Sequence, residues 1–232
     1  MDNIQFLMIE TGTDVCSVAL SRGDQIIDQI IIREPRAHAR VIGPLVNDIL
    51  RNNNTSVNNC SAIVVSEGPG SYTGLRVGVS IAKGLCYGSG KPLIAVNSLL
   101  IIARQVIENN LNHDKEALIY SVLDARRNEV YLRKFGPDGT PFSDTEAIVL
   151  TPESFREELN KSVIVFAGNG AEKLSEIIIH KNARYIHTDT VASGMLVPAL
   201  SAYGSGIFAD VAYFEPFYLK DFKTGTSKKR LF

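Results

Sequence analysis

Residues 66 to 92 read SEGPGSYTGLRVGVSIAKGLCYGSGKP, and this stretch restricts the fold more than any other part of the chain. Its spacing predicts a helix over 73–87 in which Gly74, Gly78 and Ala82 recur every four residues, leaving a shallow groove flanked by an apolar ridge of Val77, Ile81 and Leu85. At about 100° per residue, the polar Arg76, Ser80, Lys83 and Tyr87 fill an arc of only about 60°, while apolar and small residues spread over about 220°. One sheet face cannot cover such a helix. The groove therefore predicts the backbone of a second helix in close approach. Two neighbours fit: a helix predicted over 37–53 of the same chain, or a partner protein laid across an apolar face that both helices present outward. Periodicity does not separate them.

The same glycines suggest a phosphate cradle, which spacing can test. A P-loop needs G-x-x-x-x-G-K-[ST], but Leu85 stands where Gly90-Lys91 requires a glycine, and Pro92 follows the lysine. A dinucleotide fingerprint needs G-x-G-x-x-G, whereas Gly68, Gly70 and Gly74 are spaced G-x-G-x-x-x-G after the fourth predicted strand. A helix N-terminus after GPGSYT could hold an anion on its free amides. Capping of those amides by Ser71 or Thr73 is the favoured alternative.

Strands are predicted at 4–10, 16–21 and 24–34, joined by a tight SRGDQ turn, then the helix at 37–53 with Pro44 inside it, either kinking it or marking its first turn. A buried strand at 62–68, the glycine-rich helix, a strand at 92–97 and a helix at 98–110 complete a β-β-β-α-β-α-β-α order, which implies a mixed sheet with helices on its faces. The polar segment 109–116 is the candidate boundary between a first domain, 1–110, and a second, 111–232. Beyond it come strands in ALIYSVLDA and NEVYLRKF, a GPDGTP turn, a helix opened by Thr151 and Pro152, a strand at 162–168, the helix AEKLSEIII, the strand ARYIHT and a long small-residue helix around 193–210.

A chain of 232 residues with 45% hydrophobic and 21% charged residues can bury a large core. Its 24 basic and 25 acidic residues give a net charge of −1, which supplies no long-range attraction for nucleic acid. The basic cluster Lys228-Lys229-Arg230 reads as a solvated end. Cys16, Cys60 and Cys86 are odd in number and include no C-x-x-C pair, so neither a disulfide framework nor a zinc site is indicated. His38, His113, His180 and His187 form no metal-ligand pair, and no histidine lies near a cysteine in sequence. No metal is expected. With no basic leader and no apolar span of bilayer length, the expected location is the cytoplasm, away from membranes.

Four segments, FLMIETGTDVCSVAL, SEGPGSYTGLRVGVSIAKGLCYGSGKPLIAVNSL, LDARRNEVYL and PFYLK, closely resemble the TsaB (YeaZ) family, and the likeness extends over nearly the whole chain. The resemblance implies two tandem RNase H-like domains of the actin-like, sugar-kinase and Hsp70-like ATPase fold, with the terminal helix packing back on the first domain. It implies a dimerisation subunit, without catalysis of its own, for a TsaD-type paralogue that attaches threonylcarbamoyl to the tRNA adenosine beside the anticodon. A TsaE-type ATPase and the tRNA are then reached through the complex, the chain pairs with itself when alone, and ATP sits at a subunit boundary if anywhere.

The family's contact surface corresponds here to helices 37–53 and 73–87, hence to His38, Val41, Leu45, Gly74, Val77, Gly78, Ile81, Ala82 and Leu85. In the wider fold the first hairpin addresses magnesium and phosphate, and Glu10, Gly12 and Thr13 occupy that place. Asp124 is followed by Ala125, Arg126 and Arg127 rather than by glycines that would let phosphate approach, while Gly168 and Gly170 resemble the adenosine-side turn. Ala39-Arg40, Glu10 and Lys220 depart from the family's usual Ser-Glu, Asp and Arg. The rivals are a free-standing nucleotide-hydrolysing actin-like ATPase built on the Glu10, Thr13 and Asp124 set, and a peptidase.

Overall fold

The computed structural model describes residues 4–219. Lys220 and the basic tail at 228–230 lie outside the described residues. The first half contains Phe6–Glu10 (β1), Cys16–Arg22 (β2), Gln25–Ile32 (β3), His38–Asn52 (α1), Ala62–Gly68 (β4), Tyr72–Ser89 (α2), Leu93–Asn97 (β5) and Ser98–Glu108 (α3). The second contains Leu118–Asp124 (β6), Glu129–Phe135 (β7), Glu146–Val149 (β8), Arg156–Lys161 (α4), Ile164–Ala167 (β9), Ala171–Ile177 (α5), Ala183–Ile186 (β10) and Leu196–Gly204 (α6), the last preceded by a 3-10 turn at Ala192–Met195.

Two five-stranded mixed sheets result, ordered β3-β2-β1-β4-β5 and β8-β7-β6-β9-β10. In each, an antiparallel three-strand meander is extended by two parallel strands across the first strand of the meander. The two halves therefore repeat one topology. Alternation along β1 shows how each sheet is covered twice: Leu7 and Ile9 enter a core with α1 and α2, whereas Phe6 and Met8 face Met195, Leu196 and Ala199 at the start of α6. Helix α6, from the second half of the sequence, thus packs on the first sheet.

Helix α3 is the joint between the sheets. Its Leu99, Ile102 and Val106 pack with Ile119, Leu123 and Val165 of the second sheet, and Ile101 enters the core of the first. A helix packed from both sides needs apolar residues over most of its circumference, and here only Ser98, Arg104, Gln105 and Glu108 interrupt them. Asn97 caps it, its Oδ1 accepting from the Leu99 amide at 3.1 Å.

Three expectations change. Strand β8 was not expected from the weakly alternating EAIV, which is largely exposed at a sheet edge; pairing with β7 creates it. The helix expected to open at Thr151 begins only at Arg156, because Phe155 adopts a left-handed φ of 62°. The long helix around 193–210 is a 3-10 turn followed by nine residues of α6, ended near Gly206 at φ 67°. Helix α1 runs through Pro44, which sits on the exposed side, where water can satisfy the Arg40 carbonyl that loses its amide partner.

Candidate functional site

Helix α2 is held on three sides by its own chain. Beneath it, a Cβ on Gly74 would lie 2.1 Å from the Thr11 carbonyl oxygen, and one on Gly78 would lie 2.2 Å from Thr11 Oγ1. The Thr11 hydroxyl donates to the Gly74 carbonyl at 2.8 Å, and the Ser71 amide donates to the Gly12 carbonyl at 2.6 Å. The small-residue groove is therefore filled by the loop after β1. Gly74, Gly78 and Ala82 are buried inside the chain, which corrects their assignment to a partner surface: the two glycines make room for Thr11, not for a second polypeptide. Ser71 caps the helix, its Oγ accepting from the Gly74 amide at 3.3 Å, so the α2 N-terminus is used internally.

On one flank α1 packs against α2. His38 and Leu45, expected on the partner face, are buried, with His38 Nε2 lacking a hydrogen-bond partner among the described residues. Val41, Val77, Ile81 and Leu85 pack on the same core but stay half-exposed. On the other flank the segment after α6 lies along α2. Lys83 Nζ donates to the Ala212 and Phe214 carbonyls at 3.1 and 2.9 Å, the Phe217 amide donates to the Glu67 carbonyl at 2.7 Å, and the Tyr218 ring meets Tyr72 with centroids 4.6 Å apart. Gly68, at φ 115°, passes so close to Phe217 that a Cβ would stand 2.6 Å from its carbonyl oxygen.

The outer side of α1 and α2 stays open. Between their N-terminal halves runs a groove of about 420 Å³ whose walls include Ala39, Ile42, Val77 and Ile81, with Tyr72 and Arg76 along its rim. Of the expected contact residues, Val77 and Ile81 border it. Tyr72 and Arg76, one turn apart, were the missed signal: an aromatic and a cation at i, i+4 on one helix face.

The candidate nucleotide residues have partners elsewhere. Glu10 is completely buried, and Oε1 accepts from the Gly12 amide at 2.5 Å. Oε2 and the Ser66 hydroxyl each lack a hydrogen-bond partner of normal geometry among the described residues. Burial pushes the Glu10 pKa up to about 7, against the opposing pull of the Gly12 amide, the Ser66 hydroxyl and the Thr11 amide. Thr13 Oγ1 accepts from the Val15 amide at 3.3 Å, closing its own turn. Asp124 Oδ1 is bound by Lys173 Nζ at 2.5 Å and by the Arg126 amide at 2.7 Å. Arg126 and Arg127 are exposed, both at positive φ. A Cβ on Gly168 would lie 2.1 Å from the Val122 carbonyl oxygen, and Gly170 abuts Leu123 and Asp124, so this turn is packed on β6. A carboxylate sealed at one place and neutralised by a lysine at the other does not fit a magnesium–phosphate group.

Among the described residues, no group of three or more His, Cys, Asp or Glu side chains could hold a metal ion, and no helix is long and apolar enough to cross a membrane. Burial pushes the Cys16 and Cys86 thiols up to about 11, with Glu10 adding to the rise at Cys16. At neutral pH both are protonated and are poor nucleophiles.

A family model described as "TsaD: tRNA N6-adenosine threonylcarbamoyltransferase" matches residues 25–214. The tRNA threonylcarbamoyladenosine biosynthesis protein TsaB of Escherichia coli K12 is 31% identical over 228 residues, covering 94% of this chain and 95% of that protein. Among solved structures, a Pseudomonas aeruginosa protein described as similar to peptidase YEAZ superposes with a TM-score of 0.79 at 25% identity, over 94% of this chain and all of that one. YeaZ from the same organism gives 0.76 at 23% identity, over 93% of this chain and all of that one. End-to-end likeness of this kind spans the repeated sheets, the joint helix and the outward helix pair together, and the chain belongs to the TsaB (YeaZ) family.

Proposed function

We propose that this chain is a non-catalytic, cytoplasmic subunit in the biosynthesis of threonylcarbamoyladenosine on tRNA, docking through α1 and α2 onto a TsaD-type transferase. The observation that carries this reading is the outer face of the helix pair, where Val41, Val77, Ile81 and Leu85 remain half-exposed beside an open groove. The repeated strand order supports two tandem RNase H-like domains, 1–110 and 111–232, with α6 crossing back onto the first. A free chain would shield the same face by pairing with a second copy. TsaE-type ATPase and tRNA would then be met through the complex, and ATP at a boundary to which the partner supplies the phosphate contacts.

The matched family model bears a transferase's name, so the inactive reading rests on Glu10 and Asp124. The sealing of Glu10 and the pairing of Asp124 with Lys173 support that reading. Calorimetric titration of the isolated chain with ATP and magnesium is expected to give no heat of binding and no turnover. Tight binding with hydrolysis would favour the ATPase reading.

The docking test is a double replacement, Val77→Asp with Ile81→Asp. Both side chains are half-exposed, so the melting temperature should change by no more than about 5 °C. Co-purification with the same organism's TsaD-type protein should be lost, because two carboxylates would be buried without partners in the interface. Retained co-purification by a folded double variant would exclude this face.

A further inference from the structure

We propose that Arg76 selects the docking partner by binding a carboxylate on the partner segment that enters the α1–α2 groove, so that the occupant is an apolar helix face bearing an Asp or Glu at its edge. This rests on the docking reading above and names the chemistry it requires.

Arg76 is exposed at the groove rim, and its guanidinium is already in position. Its carbon Cζ lies 5.0 Å from the centroid of the Tyr72 ring, and Nη1 donates to the Tyr72 hydroxyl at 3.0 Å. Tyr72 is in turn in ring contact with Tyr218. Long side chains on a surface lose rotamer entropy when they bind, and this one has lost much of it before a partner arrives. Only one of its five N–H donors is used by that bond, so a fork remains for bidentate contact with a carboxylate.

The charge pattern supports the same conclusion. Arg76 is the only charged residue lining the groove, and no acidic residue does. Among the described residues, Arg76 forms no ion pair within 4.0 Å, although Arg33, Arg40, Lys134 and Lys173 each do. Glu215 and Arg76 both act on Tyr218, yet no ion pair within 4.0 Å joins the two among the described residues. A basic segment entering the groove would meet a like charge that has no ion-pair partner among the described residues, and a purely apolar one would cover the guanidinium without replacing its water. An acid at the edge of an apolar segment satisfies both the walls and the rim. A second copy of this chain would bring another Arg76 with the same face, so the residue favours a different partner over self-pairing.

The experiment uses the full chain and the TsaD-type protein of the same organism, with affinities measured at two salt concentrations. Arg76→Glu is expected to weaken the complex by at least about 30-fold and to abolish its salt sensitivity, while self-association is unchanged or strengthened. Arg76→Lys should recover only part of the loss, because it keeps the charge without the fork or the stacking. Replacing single acids of the partner by lysine should reveal one position at which binding to Arg76→Glu is restored. If wild-type chains bind but Arg76→Glu binds equally well, the carboxylate proposal fails and the docking reading stands. If wild-type chains do not bind at all, the docking reading fails first. Equal melting curves for wild type and Arg76→Glu are required for either conclusion, and the exposed position of the side chain predicts them.

Discussion

Gly78→Leu is expected to unfold the chain or bring it close to unfolding, and not merely to block assembly. Its Cβ alone would stand 2.2 Å from Thr11 Oγ1, and the Thr11 hydroxyl that donates to the Gly74 carbonyl would be driven from its place. Overpacking a filled site costs about 1–3 kcal/mol, and stranding a buried polar group costs a further 1–3 kcal/mol or so. Together these come to about 2–6 kcal/mol, which reaches the lower end of the stability of ordinary domains, about 5–15 kcal/mol. Chemical denaturation should give a midpoint far below wild type. The cause can be isolated with the smaller Gly78→Ala, which places the same Cβ. In a Thr11→Ala background that change should cost about 1–3 kcal/mol less than in wild type, because the obstructing oxygen is gone. Gly74→Ala should gain no such relief, since its obstacle is the Thr11 backbone carbonyl, which every substitution at residue 11 keeps. Equal costs at both glycines in both backgrounds would contradict this account of the groove.

Glu10→Gln is expected to stabilise the protein at pH 8 and to remove a pH dependence that the wild type carries. The carboxyl titrates near pH 4.5 when exposed and near pH 7 when folded. An acid with a raised folded value binds its proton more tightly in the native state, so stability is full below about pH 4.5, falls as pH rises toward 7, and levels off above that. The displacement corresponds to a loss of about 3 kcal/mol, using 1.36 kcal/mol for each decade of affinity. Glutamine keeps an oxygen for the Gly12 amide, and its amide can donate to the Ser66 hydroxyl, which has no partner of normal geometry. Urea denaturation from pH 4 to 8 should show a falling wild-type curve and a flatter variant curve over that window, as far as this group controls it. A wild type whose stability does not fall between pH 4.5 and 7, or falls equally in the variant, would show that the carboxyl is not the sealed group described here. The same measurement bears on nucleotide chemistry, because a site that must shed a proton near neutrality and has no path to solvent is a poor magnesium ligand.

These two expectations show where residues spoke for themselves and where they did not. The alternation of Leu7 and Ile9 against Phe6 and Met8 and the cap at Ser71 are local patterns, and the structure follows them. β8 escaped because an exposed edge strand has no alternating code, and its existence depends on the neighbour that pairs with it. Lys173 could not be linked to Asp124, since 49 residues separate them and only the packing of α5 beside β6 joins them. Asp124 alone reads as a candidate ligand; with its lysine it is a neutralised pair.

The spacing of Gly74, Gly78 and Ala82 determined that another part of a polypeptide must come very close to α2, because a four-residue repeat of small side chains leaves that space along one side of a helix. It pointed to a second helix, either 37–53 or a partner's, and that expectation was wrong. Only the folded chain decided that the visitor is Thr11, through the sharp return from β1 to β2 that lies over the helix. The open face then shifted to Val77, Ile81 and the rim at Arg76. The reason is physical: periodicity fixes which side chains share a side of a helix, while coverage of that side depends on contacts between residues far apart in sequence, which arise when the sheet forms.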